Sequence, residues 1–176
     1  MRAALVATIA VSAFALPTQA QAAVQRWNPA APENRQVLPN FSFATVESVL
    51  GSIGARWERA GTAGRPALTV VFPNNRRAAL IFGNCEAQGC KALSIQSIWN
   101  RPANVPADRL AQAVHRYNQR YAFARALLTR DGRPALHRYL TADYGFIRGN
   151  LAVNLLVFAE QTERFSREVI QPLQPR

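Results

Sequence analysis

The sequence predicts a single α+β domain, an antiparallel sheet of five or six strands packed with three helices in the order α-β-β-β(-β)-α-β-β-α. Three observations carry that prediction. Short strand patterns separated by turn residues alternate with segments whose apolar residues recur at helical spacing. Cys85 and Cys90 flank the turn between two of the strand patterns. An Asp131-Gly132 hairpin signal precedes the clearest helical pattern of the chain.

The elements follow in order. Met1-Arg2 supplies a positive start, and Ala3 to Leu16 is apolar or small apart from Thr8 and Ser12. Ala20-Gln21-Ala22 is a small-x-small cleavage site. This is the pattern of a secretory signal peptide, residues 1–22, cut after Ala22. The run is short of the roughly 20 apolar residues a membrane helix needs, and no later segment is long and apolar enough to span. A periplasmic or secreted chain is the expectation. Residues 23–44 hold Pro29, Pro32 and Pro39 and read as an extended leader, with Trp27 docking on the domain. The domain itself is expected over 45–171, with a tail at 172–176.

Thr45 is the expected cap of a helix carrying Val46, Val49, Leu50 and Ile53, stopped by Gly54. Arg56 to Arg59 either begins a strand or extends that helix. Ala67 to Phe72 reads as a strand between the turns Gly61–Pro66 and Pro73–Asn75. Ala78 to Asn84 and Lys91 to Trp99 form the next pair, turning at Glu86–Gly89. If Cys85 opposes Cys90, then Phe82 opposes Leu93 and Leu80 opposes Ile95, so the register that joins the sulfurs also builds an apolar face. Pro106 opens a second helix with Leu110, Val114, Tyr117 and Tyr121 on one side. A two-residue turn at Asp131-Gly132 between Ala122–Thr129 and Ala135–Thr141 would set Leu127 opposite Leu136, Arg125 opposite Arg138 and Phe123 opposite Leu140. In the last helix Leu151, Leu155, Phe158, Thr162, Phe165 and Val169 share one stripe, ended by Pro172.

The chain of 176 residues has 21 basic and 10 acidic side chains. Without residues 1–22 its net charge is about +10, which favours anionic partners. An exported chain with two cysteines calls for one structural disulfide, with Cα atoms roughly 4.4–6.8 Å apart. A thiol oxidoreductase or a metal site is the weaker reading. No C-x-x-C opens a helix, and His115 and His137 lack ligand spacing to the cysteines. No nucleophile elbow, P-loop, dinucleotide fingerprint or zincin motif is present. Asp143 reads as a turn or cap residue and His137 as a structural one. No catalytic residue, metal or cofactor is therefore expected. The aromatic side chains read as core rather than as a nucleic-acid stacking platform. If Arg125 does oppose Arg138, the pair begins an anion-binding strip, joined by neighbours such as Arg120 or Arg148, unless carboxylates such as Glu160 or Glu163 take up the charge.

The stretches F-G-N-C-E-A-Q-G-C-K-A-L-S-I-Q, Y-N-Q-R-Y-A-F-A-R-A-L-L-T-R-D-G-R-P-A-L and Y-G-F-I-R-G-N-L-A-V-N-L-L-V-F carry a resemblance. In this order they resemble the YbjN-like family, labelled "putative bacterial sensory transduction regulators", over about Thr45 to Val169. Tyr117-Asn118 stands where many members have Trp-Asn, and Tyr144-Gly145 replaces a Gly-Gly turn. The resemblance implies a fold similar to the small chaperones of type III secretion, which bind other proteins, often as dimers. It carries over no catalytic residue. The expectation is an exported, non-enzymatic protein-binding module, a chaperone-like adaptor or regulator in the bacterial envelope, with an unidentified protein partner or a second copy of itself. The alternative is a basic binder of anionic polymers or envelope lipids.

Overall fold

Alternating residues of the central strand segments send their aliphatic side chains to one side of a sheet. Leu68, Val70, Leu80, Phe82, Leu93, Ile95 and Leu136 occupy that side and are buried. The structure, a computed structural model, describes residues 27–174. The signal peptide expected over 1–22 lies outside the described residues.

The chain runs β1 (Val37–Leu38), α1 (Phe43–Ser52), β2 (Arg56–Thr62), β3 (Arg65–Val71), β4 (Arg77–Glu86), β5 (Gly89–Ile98), α2 (Ala107–Arg120), β6 (Arg125–Leu128), β7 (Pro134–Thr141), β8 (Phe146–Ile147) and α3 (Arg148–Phe165). Six strands form one antiparallel sheet in the order β2-β3-β4-β5-β7-β6, and β1 pairs with β8 in a small second sheet. This is the α+β domain of three helices that the residue pattern predicts. Val46, Val49 and Leu50 of α1, Ala113, Val114 and Tyr117 of α2, and Leu151, Leu155, Phe158 and Phe165 of α3 join the sheet's apolar side in one core.

Ser42, not Thr45, caps α1: its Oγ accepts from the Thr45 N–H at 3.2 Å. Gly54, at φ +72°, ends that helix, and Arg56 to Arg59 is strand. The last helix passes into a π turn, Ser166–Ile170, before a 3-10 turn at Gln171–Leu173.

The β4–β5 hairpin has the expected register, Leu80 with Ile95, Phe82 with Leu93 and Cys85 with Cys90. The disulfide is formed, with Cα atoms 3.8 Å apart. That is closer than expected, and closer than the roughly 4.5 Å of a directly opposed, non-hydrogen-bonded antiparallel pair. The β6–β7 register departs from expectation by one residue: Arg125 faces His137, Ala126 faces Leu136 and Leu127 faces Ala135. Thr129 donates its N–H to the Arg133 carbonyl at 2.8 Å, so Arg130, Asp131 and Gly132 form a three-residue loop with Gly132 at φ +75°. A one-residue slip turns every side chain of the shifted strand to the other face relative to its partner strand. Arg125 and Arg138 therefore lie on opposite sides of the sheet.

Residues 27–44 are woven into the domain rather than leading up to it. Phe41 is buried and exchanges two backbone hydrogen bonds of 2.8 Å with Cys90. Trp27 packs against the core, as expected.

Candidate functional site

All three helices contribute their buried residues to one side of the sheet, and no helix among the described residues covers the other side. The register defines its rows. Ala60, Ala67, Ile81, Ser94 and Tyr139 stand abreast across β2, β3, β4, β5 and β7. Beside them run Glu58, Thr69, Ala79, Gln96, His137 and Arg125. Small side chains at Ala67, Ala79, Gly83 and Ser94 keep the middle flat. Tyr139 is 52% exposed and Ile98 43% exposed. Arg56, Arg65, Arg77 and Arg125 rim the face in solvent, with Glu58 as the acidic residue among them. A shallow hollow of about 330 Å³ opens at one end, between Arg56, Glu58, Thr69, Val71 and Arg77. Such a face offers contact area bordered by guanidinium groups. His137 is half-buried in this row. Burial, and then the Arg125 charge, hold its pKa below the ordinary histidine value.

The strip of Arg125, Arg138, Arg120 and Arg148 is not assembled. Arg125 is on the uncovered face. Arg138 points to the helix side, where its Nε donates to Asn154 Oδ1 at 3.3 Å and its guanidinium stacks 4.3 Å from the Phe123 ring centre. Arg148 is buried and donates to Asn34 Oδ1 at 3.3 Å and Ser48 Oγ at 3.1 Å. Arg120 stands 3.5 Å from Glu168, a carboxylate other than the Glu160 or Glu163 considered from the sequence. The arginines that do gather are Arg116, Arg120, Arg164 and Arg167, on α2 and the end of α3. Their i, i+4 and i, i+3 spacings mark shared helix faces in the sequence, but only tertiary packing brings the two helices together.

A family model described as "Putative bacterial sensory transduction regulator" matches residues 42–171. The chain belongs to the YbjN family. No curated protein matches it. The YbjN match starts at Ser42, the cap of α1, and closes at Gln171, just past the π turn, so it takes in the six-stranded sheet and every helix packed on it. The YbjN description is that of a regulator and names no reaction.

Two further features of this YbjN domain bear on chemistry. Among the described residues, no group of three or more His, Cys, Asp or Glu side chains is placed to hold a metal ion. No helix among them is long and apolar enough to cross a membrane.

Proposed function

We propose that this YbjN protein is an exported, non-enzymatic protein-binding module, an adaptor or regulator of the bacterial envelope, and that it holds its partner on the uncovered face of the sheet. That face is the observation that carries the reading: a flat row from Ala60 to Tyr139, rimmed by Arg56, Arg65, Arg77 and Arg125. Its occupant is a polypeptide with an acidic surface, matched to a chain whose net charge is about +10 without residues 1–22. Export is supported by the signal-peptide pattern ending at Ala22 and by a disulfide suited to an oxidising compartment.

A photo-crosslinker at Ser94 should trap one discrete protein in cells, and Ala79→Arg should abolish that product while leaving the fold intact. Equal trapping from Asn150, on α3 in the helix layer, would reject the face. Fractionation should find a mature chain beginning at Ala23 outside the cytoplasm; an uncut chain inside it would reject export. The second reading, binding of anionic polymers or envelope lipids, is favoured by the charge alone. Its mark is affinity that collapses with salt whatever the ligand's sequence.

A further inference from the structure

The geometry points to a second binding site, in the helix layer between α2 and the π turn, that takes an acidic peptide segment carrying an apolar residue beside its carboxylates. Four arginines gather there about one carboxylate. Arg120 and Arg167 approach Glu168 at 3.5 and 3.8 Å, and the Arg164 guanidinium lies 4.8 Å from the centre of the Tyr121 ring. Arg116 and Arg120 flank a small hollow of about 130 Å³ whose apolar lining comes from Ala113, Val169 and the Tyr117 ring.

Glu168 does not satisfy these guanidinium groups. Its carboxylate accepts from the Tyr121 hydroxyl at 3.0 Å through each oxygen, and no guanidinium hydrogen-bonds to it among the described residues. Among the same residues, no carboxylate comes within 4.0 Å of Arg116 or Arg164. Guanidinium forks left open in this way suit carboxylates two at a time. The hollow adds a second demand, since an apolar lining beside open forks is filled best by an aliphatic side chain next to an acid. Glu168 adds a third: a fixed negative charge in the middle of the cluster repels a dense run of phosphates more than separate carboxylates. The helix wall here is a π turn, a geometry that recurs at functional sites. This site lies on the side of the sheet opposite the face proposed above, so the two can fail separately.

The probe is a fluorescently labelled peptide of alternating glutamate and leucine, titrated by anisotropy against the mature chain. Arg116→Ala with Arg120→Ala should weaken binding about ten-fold or more. Arg35→Ala with Arg130→Ala removes the same charge from exposed positions that belong to neither site and should change affinity less than about two-fold, because distant exposed charges are screened. Glu168→Gln, which removes the competing carboxylate, should tighten binding, and an all-glutamate peptide should bind more weakly than the mixed one. Equal losses in the two double variants, or no binding by the unaltered chain, would overturn the site. So would polyphosphate binding more tightly than the peptide, which would point to the anionic-polymer reading instead.

Discussion

His137 stands in a row of the uncovered face directly opposite Arg125, and both its burial and that neighbour oppose its protonation. The folded chain thus binds this proton less readily than the unfolded chain, whose histidines titrate near about 6.5. The stabilising share of His137 is complete above that value and is lost as pH falls through the lower folded one. NMR titration should place the ring below 6.5, the ordinary value, and Arg125→Ala should move it back upward. A ring titrating at or above the ordinary value in the unaltered chain would contradict this placement. The Cys85–Cys90 bond is a separate residue-scale contribution. Closing so short a ring restricts the unfolded chain by about 2 kcal/mol, so a double Cys→Ser variant should melt about 4–8 °C lower. Reductant should lower the melting temperature of the unaltered chain equally. Partner binding that survives in the double variant would leave the thiol oxidoreductase reading with no support.

Which elements could be read in advance depended on whether their local signals agreed. In β4 and β5 they did: Leu80, Phe82, Leu93 and Ile95 alternate cleanly, and the register that buries them also opposes Cys85 and Cys90. In β6 they did not. Ala126, Leu127 and Leu128 are apolar in succession, so alternation cannot say which one faces the core, and Asp131-Gly132 suits a three-residue loop as well as a two-residue one. That ambiguity displaced the anion strip. Ser42 and Thr45 were both able to cap α1. With the cap at Ser42, Phe43 enters the first turn of the helix, and its ring sits 4.8 Å from Phe82. The basic cluster about Glu168 depends on how α2 meets the end of α3, which neither helix encodes alone. In α3, Phe158 is fully buried, and Phe158→Ala should cost about 3–5 kcal/mol in denaturant unfolding. Tyr117→Phe removes a buried donor to Gln161 Oε1; a loss of about 1–3 kcal/mol is expected from the oxygen left unpaired. A neutral result there would mean that water reaches Gln161.

At the scale of the whole molecule, residues 27–44 belong to the fold that the YbjN match begins only at Ser42. A chain started at residue 45 loses the buried Phe41 and the Ser42 cap together. It should therefore unfold at clearly lower denaturant than one started at Ala23, with a deficit of about 3–5 kcal/mol from the aromatic alone. Equal stability of the two chains would mean that this segment only rests on the surface. The ends of the sheet have a different consequence. β6 is four residues long, whereas β2 is seven and has no strand on its outer side among the described residues. Arg56 and Glu58 lie on one side of the strand and Arg59 on the other, where it is tied back to Glu47 at 2.7 Å. An unprotected edge of that length is a template on which further copies of the chain can add, strand upon strand, into fibres. Glu58→Val with Arg59→Val should accelerate fibril formation, read by amyloid-dye fluorescence, at a concentration where the unaltered chain stays clear. The charges that let the sheet stop at β2 thereby raise the amount of this protein that a cell can keep dissolved.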